Sequence, residues 1–299
     1  MVSANCIKAA FKAAALKLEE NREALDAMNV FPIPDGDTGT NMSLTLNAAA
    51  RAVDAMSQNA SVCEVLECAA GAALHNARGN SGVIFSILLR GFSKAVCGQD
   101  VLSGSDIAQA MEMGVQAAYN AIAEPVEGTM LTVARCAAMG AVAASEKGIS
   151  PAGVLAAALA EAESALLKTT KLLPALEAAG VVDSGGFGLV LILQAMSATG
   201  GALHIKNCGA KKPEAYAKAN IAHAYCMDFA LHGDADSCVL RTEFARKCDS
   251  IVIARDGDII KLHVHTNEPD SVLQIAGKYG EVKSHRVEDM PRQLNGGLS

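Results

Sequence analysis

The chain has 299 residues, of which 51% are hydrophobic, 19% are charged and 4% are aromatic, with no tryptophan. This composition excludes an intrinsically disordered chain and predicts a folded protein of about two domains. The net charge of −7 argues against a broad nucleic-acid-binding surface. No apolar run approaches the roughly 20 residues of a membrane span. The nine cysteines form no CxxC pair, which indicates a reduced, cytoplasmic protein.

Residues 1–203 are predicted to form a helical domain. Ile7, Phe11, Ala14 and Leu18 repeat at helical spacing, and many small residues favour the close packing of an antiparallel bundle. Seven further helical stretches follow, and Ser105 and Ser150 are the predicted caps of two of them. These stretches are approximately Asn41–Met56, Val62–Leu74, Gly82–Cys97, Ser105–Ile122, Thr129–Ser145, Pro151–Thr170 and Gly188–Ser197.

The pattern changes after residue 203. Residues 204–217 are polar and irregular and are predicted to be a linker, and residues 218–299 are predicted to form a smaller α/β domain. Its element order, β-α-β-β-α-β, is that of the ferredoxin-like fold. The predicted strands are His223–Leu231, Ser250–Ala254, Ile259–Thr266 and Glu281–Val287, and the predicted helices are Ser237–Lys247 and Asp270–Tyr279.

The segment from Asn29 to Met42 carries the strongest chemical signal. Asp35 and Asp37 flank Gly36 in a loop between two predicted helices, so both carboxylates can turn towards one cation such as Mg²⁺. The residues that follow, 38–41, place backbone N–H groups at a helix N-terminus, where anions bind. The combination predicts a metal–nucleotide site. The alternative is a turn that only caps the helix.

Three further glycine-containing segments precede predicted helices, namely Ala77–Gly82, Glu127–Met130 and Val182–Gly188. Alternate turns of an up-down bundle lie at the same end of the bundle. We therefore expect these three helix starts, together with the helix start that follows Asp37, to surround one opening. Taken singly, each is an ordinary turn between helices. The sequence contains no GxxxxGK[ST] motif, which excludes a P-loop.

These segments resemble the signatures of the dihydroxyacetone kinase L-subunit (DhaL) domain, in the form found at the N-terminus of bacterial fatty acid kinase A. The resemblance covers about residues 3–202. It implies an eight-helix antiparallel barrel that binds ATP or ADP and two Mg²⁺ at one end. The segments that carry it are Asn29–Met42, Ala77–Gly82, Glu127–Leu131 and Val181–Gly188.

The resemblance also implies roles for individual residues. Asp35 and Asp37 correspond to the catalytic, Mg²⁺-binding aspartates of the family. Dihydroxyacetone kinase subunits carry a third aspartate upstream, where this chain has Asn29, so the third metal ligand stays open, with the Asn29 amide oxygen as the candidate. The implied nucleotide-binding residues are Thr38, Gly39, Thr40, Asn41, Asn80, Ser81 and Gly82 at the phosphates, Gly128, Thr129 and Met130 at the adenine, and Asp183, Ser184 and Gly185 closing the pocket.

A different set of ligands lies in the second domain. His263 and His265 alternate on a predicted strand, so both imidazoles lie on one face and suit a transition metal, most often Zn²⁺. Cys226 on a neighbouring strand is the best third ligand, and the alternative is a pair of solvated histidines. The pattern from Tyr225 to Asn267 resembles the middle domain of fatty acid kinase A, in which a cysteine and two histidines bind zinc.

These features predict an ATP- and Mg²⁺-dependent kinase subunit. The resemblance implies transfer of the γ-phosphoryl group to a fatty acid carboxylate that a DegV-type fatty-acid-binding partner presents, which forms an acyl phosphate. Two alternatives stay open: a phosphotransferase like the dihydroxyacetone kinase L-subunit, and a nucleotide- or metal-sensing module without turnover. The acyl preference, the presence of further domains and the oligomeric state, including a homodimer, also stay open.

Overall fold

The computed structural model describes residues 1–197 and 223–291, so the predicted linker at 204–217 lies outside the described residues. The first range contains α1 (Ala4–Glu20), α2 (Arg22–Ala27), α3 (Thr38–Asp54), α4 (Val62–Asn76), α5 (Gly79–Ala95), α6 (Gly104–Ala121), α7 (Met130–Ser145), α8 (Pro151–Leu172), α9 (Pro174–Ala179) and α10 (Ser184–Met196). The second contains β1 (Tyr225–His232), α11 (Ser237–Phe244), β2 (Cys248–Asp256), β3 (Ile259–Thr266), α12 (Pro269–Ala276) and β4 (Glu281–Asp289).

The helical domain confirms the predicted eight-helix architecture, with α2 and α9 as short additional helices. Large apolar side chains such as Phe11, Leu18 and Met42 are fully buried in its core. Small residues allow the helices to approach closely. A Cβ atom on Gly91 of α5 would lie 2.7 Å from the Cα atom of Gly114 in α6, so the two backbones touch at this crossing. No helix in residues 1–197 or 223–291 is long and apolar enough to cross a membrane.

The predicted starts of several helices were wrong by a few residues. The starts of α3, α5 and α10 lie three or four residues earlier than predicted, because their glycines belong to the first helical turn despite a low helix propensity. The cap of α6 is Ser103 and not Ser105. Its hydroxyl oxygen accepts the N–H of Asp106 at 3.2 Å, and the Asp106 carboxylate accepts the N–H of Ser103 at 2.8 Å. Ser150 caps α8 as predicted.

The sheet domain confirms the ferredoxin-like prediction. Its four strands are antiparallel in the order β2-β3-β1-β4. One face packs on α11 and α12 and forms an apolar core that includes Phe229 and Phe244, whose rings meet edge to face at 5.9 Å. The other face is polar although it is buried. It carries Cys226, Asp228, Lys261, His263 and His265.

The polar face of the sheet lies against α5 and α6 of the helical domain. Val252 and Ala254 of β2 share an apolar cluster with Leu74 and Ile87. Around this cluster, the N–H of Ala123 donates to the carbonyl of Ile251 at 3.2 Å, Arg241 donates to the carbonyl of Asn120 at 2.7 Å, and Arg90 pairs with Asp256. The two domains therefore meet through both apolar and polar contacts.

Candidate functional site

Asp35 and Asp37 lie together in the loop before α3. Gly36 between them has a φ of +72°, a left-handed conformation that favours glycine and turns the chain between the two carboxylates. Burial, reinforced by the Asp37 charge, raises the pKa of Asp35 well above its usual range. Burial also raises the pKa of Asp37 to about 6, with the charges of Glu288 and Asp26 acting in the same direction. Two crowded carboxylates of this kind fit a site for a divalent cation.

Asn29 holds this loop in place. Its amide oxygen accepts the N–H of Thr38 at 3.0 Å, the hydroxyl of Thr38 at 2.5 Å and the N–H of Asp37 at 3.4 Å, while its NH₂ group donates to the carbonyl of Ile33 at 2.8 Å. In this arrangement the amide oxygen is saturated by protein donors. The geometry therefore disfavours Asn29 as a metal ligand, and its part in metal binding stays a prediction.

The start of α3 offers fewer free amides than the sequence suggested. The N–H of Thr38 donates to Asn29, and Asp26 accepts both the N–H and the hydroxyl of Thr40, at 2.9 and 2.8 Å. Gly39 allows α3 to pack closely on α2, because a Cβ atom at this position would collide with the carbonyl oxygen of Arg22. Asn41 donates its side chain to Asp37. Among the described residues, only the N–H of Gly39 in this stretch lacks an acceptor.

The start of α5 lies next to the start of α3. The hydroxyl oxygens of Ser81 and Thr38 are 3.5 Å apart, and a Cβ atom on Gly82 would lie 2.6 Å from the hydroxyl oxygen of Thr45. The N–H of Gly79 donates to Asp228 of the sheet at 3.1 Å. The N–H groups of Asn80 and Ser81 have no acceptor within the described ranges, so they are available to an anion.

The starts of α7 and α10 meet around Asp183. This buried carboxylate accepts the N–H of Gly186 at 2.7 Å and a backbone hydrogen bond from Met130, so it caps α10 and ties it to α7. Ser184 donates its hydroxyl to the carbonyl of Leu25 at 2.6 Å, which links α10 to α2 and thus to the Asp35 loop. The side chain of Met130 lies against Gly185. The structure thus brings the four predicted helix starts to one end of the barrel.

Gly128 and Thr129 shape the turn before α7. Gly128 has a φ of +87°, and a Cβ atom there would lie 2.8 Å from the Cβ atom of Leu172. The hydroxyl oxygen of Thr129 accepts the N–H of Leu131 at 3.3 Å and caps the helix. These contacts explain the residue types by local structure, and their part in adenine binding stays a prediction.

The predicted zinc ligands come together on the polar face of the sheet. One ligand atom from each of Cys226, His263 and His265 lies within 4.8 Å of the others, and the two Nε2 atoms are 3.2 Å apart. Two nitrogen ligands at the usual Zn–N distance in a tetrahedral site are about 3.3 Å apart. Burial, followed by the charges of His263 and His223, lowers the pKa of His265 to about 3, so its imidazole is neutral and able to bind a metal.

Both histidines have a carboxylate near their Nδ1 atom, and the carboxylate at His263 is within hydrogen-bond distance. Asp228 lies 2.9 Å from the Nδ1 atom of His263, and Asp249 lies 3.7 Å from the Nδ1 atom of His265. This carboxylate–histidine arrangement is the one that typically supports a metal-binding imidazole. The donor set and its surroundings therefore fit Zn²⁺.

The two candidate sites face each other. Burial raises the pKa of the Cys226 thiol well above its usual range, and the next contributions come from the carboxylates of Asp228 and Glu288, then of Asp35 and Asp37. Asp228 and Glu288 are not among the site residues predicted from the sequence. Because side chains alternate along a strand, the spacing from Cys226 indicates that Asp228 lies on the same face of β1. Glu288 is identified only from the pairing of β4 with β1, which places it opposite Cys226.

Two family models match the chain. The DAK2 domain matches residues 32–198, and the fatty acid kinase A-like middle domain matches residues 222–296. These matches correspond to the helical domain and to the sheet domain, in the order in which they lie along the chain.

Relatives of similar sequence are longer than this chain. Protein YloV of Bacillus subtilis is 36% identical over 304 residues, which cover 94% of this chain and 54% of that protein. An uncharacterized protein of Staphylococcus saprophyticus is 36% identical over 297 residues, with coverages of 93% and 53%. The chain thus spans about half the length of these curated relatives. Among solved structures, the dihydroxyacetone kinase from C. freundii in complex with AMP-PNP and Mg²⁺ has a TM-score of 0.48 and 21% identity, over 66% of this chain and 34% of that one.

We predict that Asp183→Asn makes stability less dependent on pH. Burial raises the pKa of Asp183 to about 7, so its contribution to stability is complete below about pH 4 and is lost as the pH rises to about 7. Asparagine also caps helices and stays neutral. We compare the free energy of unfolding of the variant with that of the wild type at each pH. This difference should favour the variant by about 2–4 kcal/mol more at pH 7.5 than at pH 4.

Urea denaturation at several pH values measures this difference. Asp54→Asn, at an exposed position of α3, is the matched control and should follow the wild type. If Asp183→Asn and the wild type change in parallel between pH 4 and 7.5, the carboxyl group does not titrate as argued.

Proposed function

This chain belongs to the DAK2-domain family, and from that premise we propose that it is the nucleotide-binding subunit of an ATP- and Mg²⁺-dependent kinase that acts on a fatty acid carboxylate. The observation that carries the proposal is the meeting of the Asp35–Asp37 loop with the start of α5. Carboxylates for metal ions and unengaged amides for phosphate oxygens then lie side by side. This is the combination that phosphoryl transfer requires.

Asp35 and Asp37 are the residues that would hold Mg²⁺. When bound, the metal ions supply positive charge that offsets the charge on the phosphoryl oxygens. The N–H groups of Gly39, Asn80 and Ser81 are the free donors for the phosphates. Asn29 and Asp26 keep the loop and the start of α3 in the geometry that presents these groups.

The proposed acceptor is a fatty acid presented by a separate, DegV-type protein. A carboxylate is already a nucleophile, so it needs to be positioned and not deprotonated. The match to a fatty acid kinase A-like middle domain favours this acceptor over dihydroxyacetone, which the DAK2 match alone would allow equally.

We assign Zn²⁺ to Cys226, His263 and His265, with a structural role. Asp228 orients His263 with one oxygen and accepts the N–H of Gly79 with the other. A metal ion on the histidine pair would therefore fix the sheet against the start of α5. It would also allow the Cys226 thiol to ionise despite the burial and the negative charges that oppose its ionisation.

We expect Asp37→Asn to abolish Mg²⁺-dependent ATP binding while the protein stays folded. The substitution removes one metal-binding carboxylate and also relieves repulsion with Asp35, so the melting temperature in the absence of Mg²⁺ should not fall. Isothermal titration calorimetry with ATP and Mg²⁺ measures the binding, and Asp54→Asn is the control with an unchanged affinity. Wild-type affinity in Asp37→Asn would show that Asp37 is only a turn residue.

We expect the chain alone to phosphorylate free fatty acid very slowly. Positioning contributes on the order of 7–11 kcal/mol at best, so loss of a presenting partner should nearly abolish turnover. The assay follows acyl phosphate formed from labelled ATP and oleate, with and without a DegV-type protein, and with dihydroxyacetone as a second acceptor. Rapid phosphorylation of free oleate by residues 1–299 would place the acceptor site in this chain, and turnover with dihydroxyacetone alone would favour the alternative.

Purified protein should contain about one zinc ion per chain, as a single three-ligand site requires. The double variant His263→Ala/His265→Ala should lose it, whereas His232→Ala should retain it, because His232 is exposed at the end of β1 and pairs with Asp258 instead. Elemental analysis measures the metal, and a thermal melt shows whether the sheet domain loosens. Full zinc content in the double variant would contradict this assignment.

A further inference from the structure

A basic cavity lies where the end of α5 meets the sheet domain. Its volume is about 290 Å³, and its wall includes residues of both domains. Four of the lining side chains are cationic and none is acidic, in a chain whose net charge is −7. The polar lining residues are Arg90 and Lys94 from α5, Asn120 from α6, Ser237 and Arg241 from α11, and Arg255 from β2.

Two of the four cations are balanced by carboxylates behind the wall. Arg90 pairs with Asp256, and Arg255 pairs with Asp234. Arg241 donates to the carbonyl of Asn120 at 2.7 Å but has no carboxylate partner among the described residues. The ammonium group of Lys94 has no hydrogen bond or ion pair with any residue that the structure describes. The cavity thus carries about two uncompensated positive charges.

Two guanidinium groups in the wall are also incompletely satisfied. The Nε–H groups of Arg90 and Arg241 are buried and have no acceptor in the described part of the structure. These two atoms are closed to solvent, so a molecule in the cavity would contact the other N–H groups of the guanidinium groups, and the unpaired Nε–H groups add to the positive potential of the wall. Lys94 and Arg241 each lie in the last turn of their helix, where the helix dipole favours a cation, but the dipole does not explain why cations from two domains line one cavity.

We propose that this cavity binds a small anion that carries phosphate. Guanidinium groups match phosphate oxygens in geometry, and the Ser237 hydroxyl and the Asn120 amide add neutral donors. The volume lies at the lower end of small-molecule sites, so it suits inorganic phosphate, pyrophosphate or a small phosphorylated metabolite better than a nucleotide.

This site is separate from the nucleotide site. Lys94 and Ser81 lie at opposite ends of α5, about 20 Å apart along the helix axis. The anion would contact α5 and α6 on one side and α11 and β2 on the other, so its binding would stabilise the docking of the two domains. By linkage, a ligand of the docked state raises the melting temperature.

The test is calorimetric titration of the whole chain with phosphate and with pyrophosphate, in Mg²⁺-free buffer of constant ionic strength set with sodium chloride. Lys94→Glu is the main variant, because Lys94 is exposed at the cavity and its replacement breaks no contact. We expect saturable binding of at least one of the two anions to the wild type and a loss of affinity of tenfold or more in Lys94→Glu. Arg241→Gln should weaken binding to a similar extent.

Lys12→Glu is the matched control, since it makes the same charge change at an exposed position of α1 outside the cavity. It should bind the anion as the wild type does. Binding that survives in Lys94→Glu and in Arg241→Gln, or that falls equally in Lys12→Glu, would overturn the proposal, and so would the absence of binding to the wild type. Anion bound at the proposed nucleotide site would not be lost in Lys94→Glu or Arg241→Gln, so the two variants separate this proposal from the proposed kinase function.

Discussion

The arrangement of both candidate sites depends on the burial of one polar sheet face against the helical domain. Asp228 is buried in this interface, and a buried carboxylate is tolerated only when it is paired. One of its oxygens meets His263, and the other accepts the N–H of Gly79 at the start of α5. The same carboxylate therefore orients a candidate zinc ligand and fixes the position of a candidate phosphate-binding turn. Each site therefore contacts the other domain through this one side chain.

Helix α5 organises the charges along this interface. Carboxylates gather at its start, where Asp228 accepts the N–H of Gly79 and where Asp35 and Asp37 lie nearby. Cations gather at its end, where Arg90 and Lys94 line the basic cavity. This separation agrees with the helix dipole, which favours negative groups at the N-terminus and positive groups at the C-terminus. An acidic end suits cations and a basic end suits an anion, which is why metal ions and a phosphate compound are proposed for opposite ends.

The helix starts illustrate how packing and binding compete for the same residue types. Gly39 and Gly82 are adjacent to backbone or side chains that a Cβ atom would meet, so close packing alone accounts for them. The amides of Thr38 and Thr40 are satisfied by Asn29 and Asp26. Within residues 38–41 and 80–82, the N–H groups without an acceptor in the described structure are those of Gly39, Asn80 and Ser81, a smaller set of candidate phosphate contacts than the motif suggested.

The sequence by itself determined the elements and the candidate ligands. Four local patterns carried this information: the helical periodicity of the first domain, the β-α-β-β-α-β order of the second, the Asp35–Gly36–Asp37 spacing and the His263–His265 alternation. They can be recognised in the sequence because local backbone geometry produces them. The exact helix starts were less predictable, because a capping side chain such as Asp183 can draw several glycines into a first turn.

Only the tertiary structure decided which groups are free, which are paired and which meet across the domains. Asp228 and Gly79 are 149 residues apart in sequence, and Arg241 and Asn120 are 121 apart, yet each pair forms a hydrogen bond. No local pattern encodes such contacts, because they depend on the register of β1 and β4 and on how the sheet docks on α5. The position of Glu288 beside the aspartates and the basic cavity follow from that docking. The occupied amides of α3 follow from the folding of Asp26 and Asn29 back onto the start of that helix.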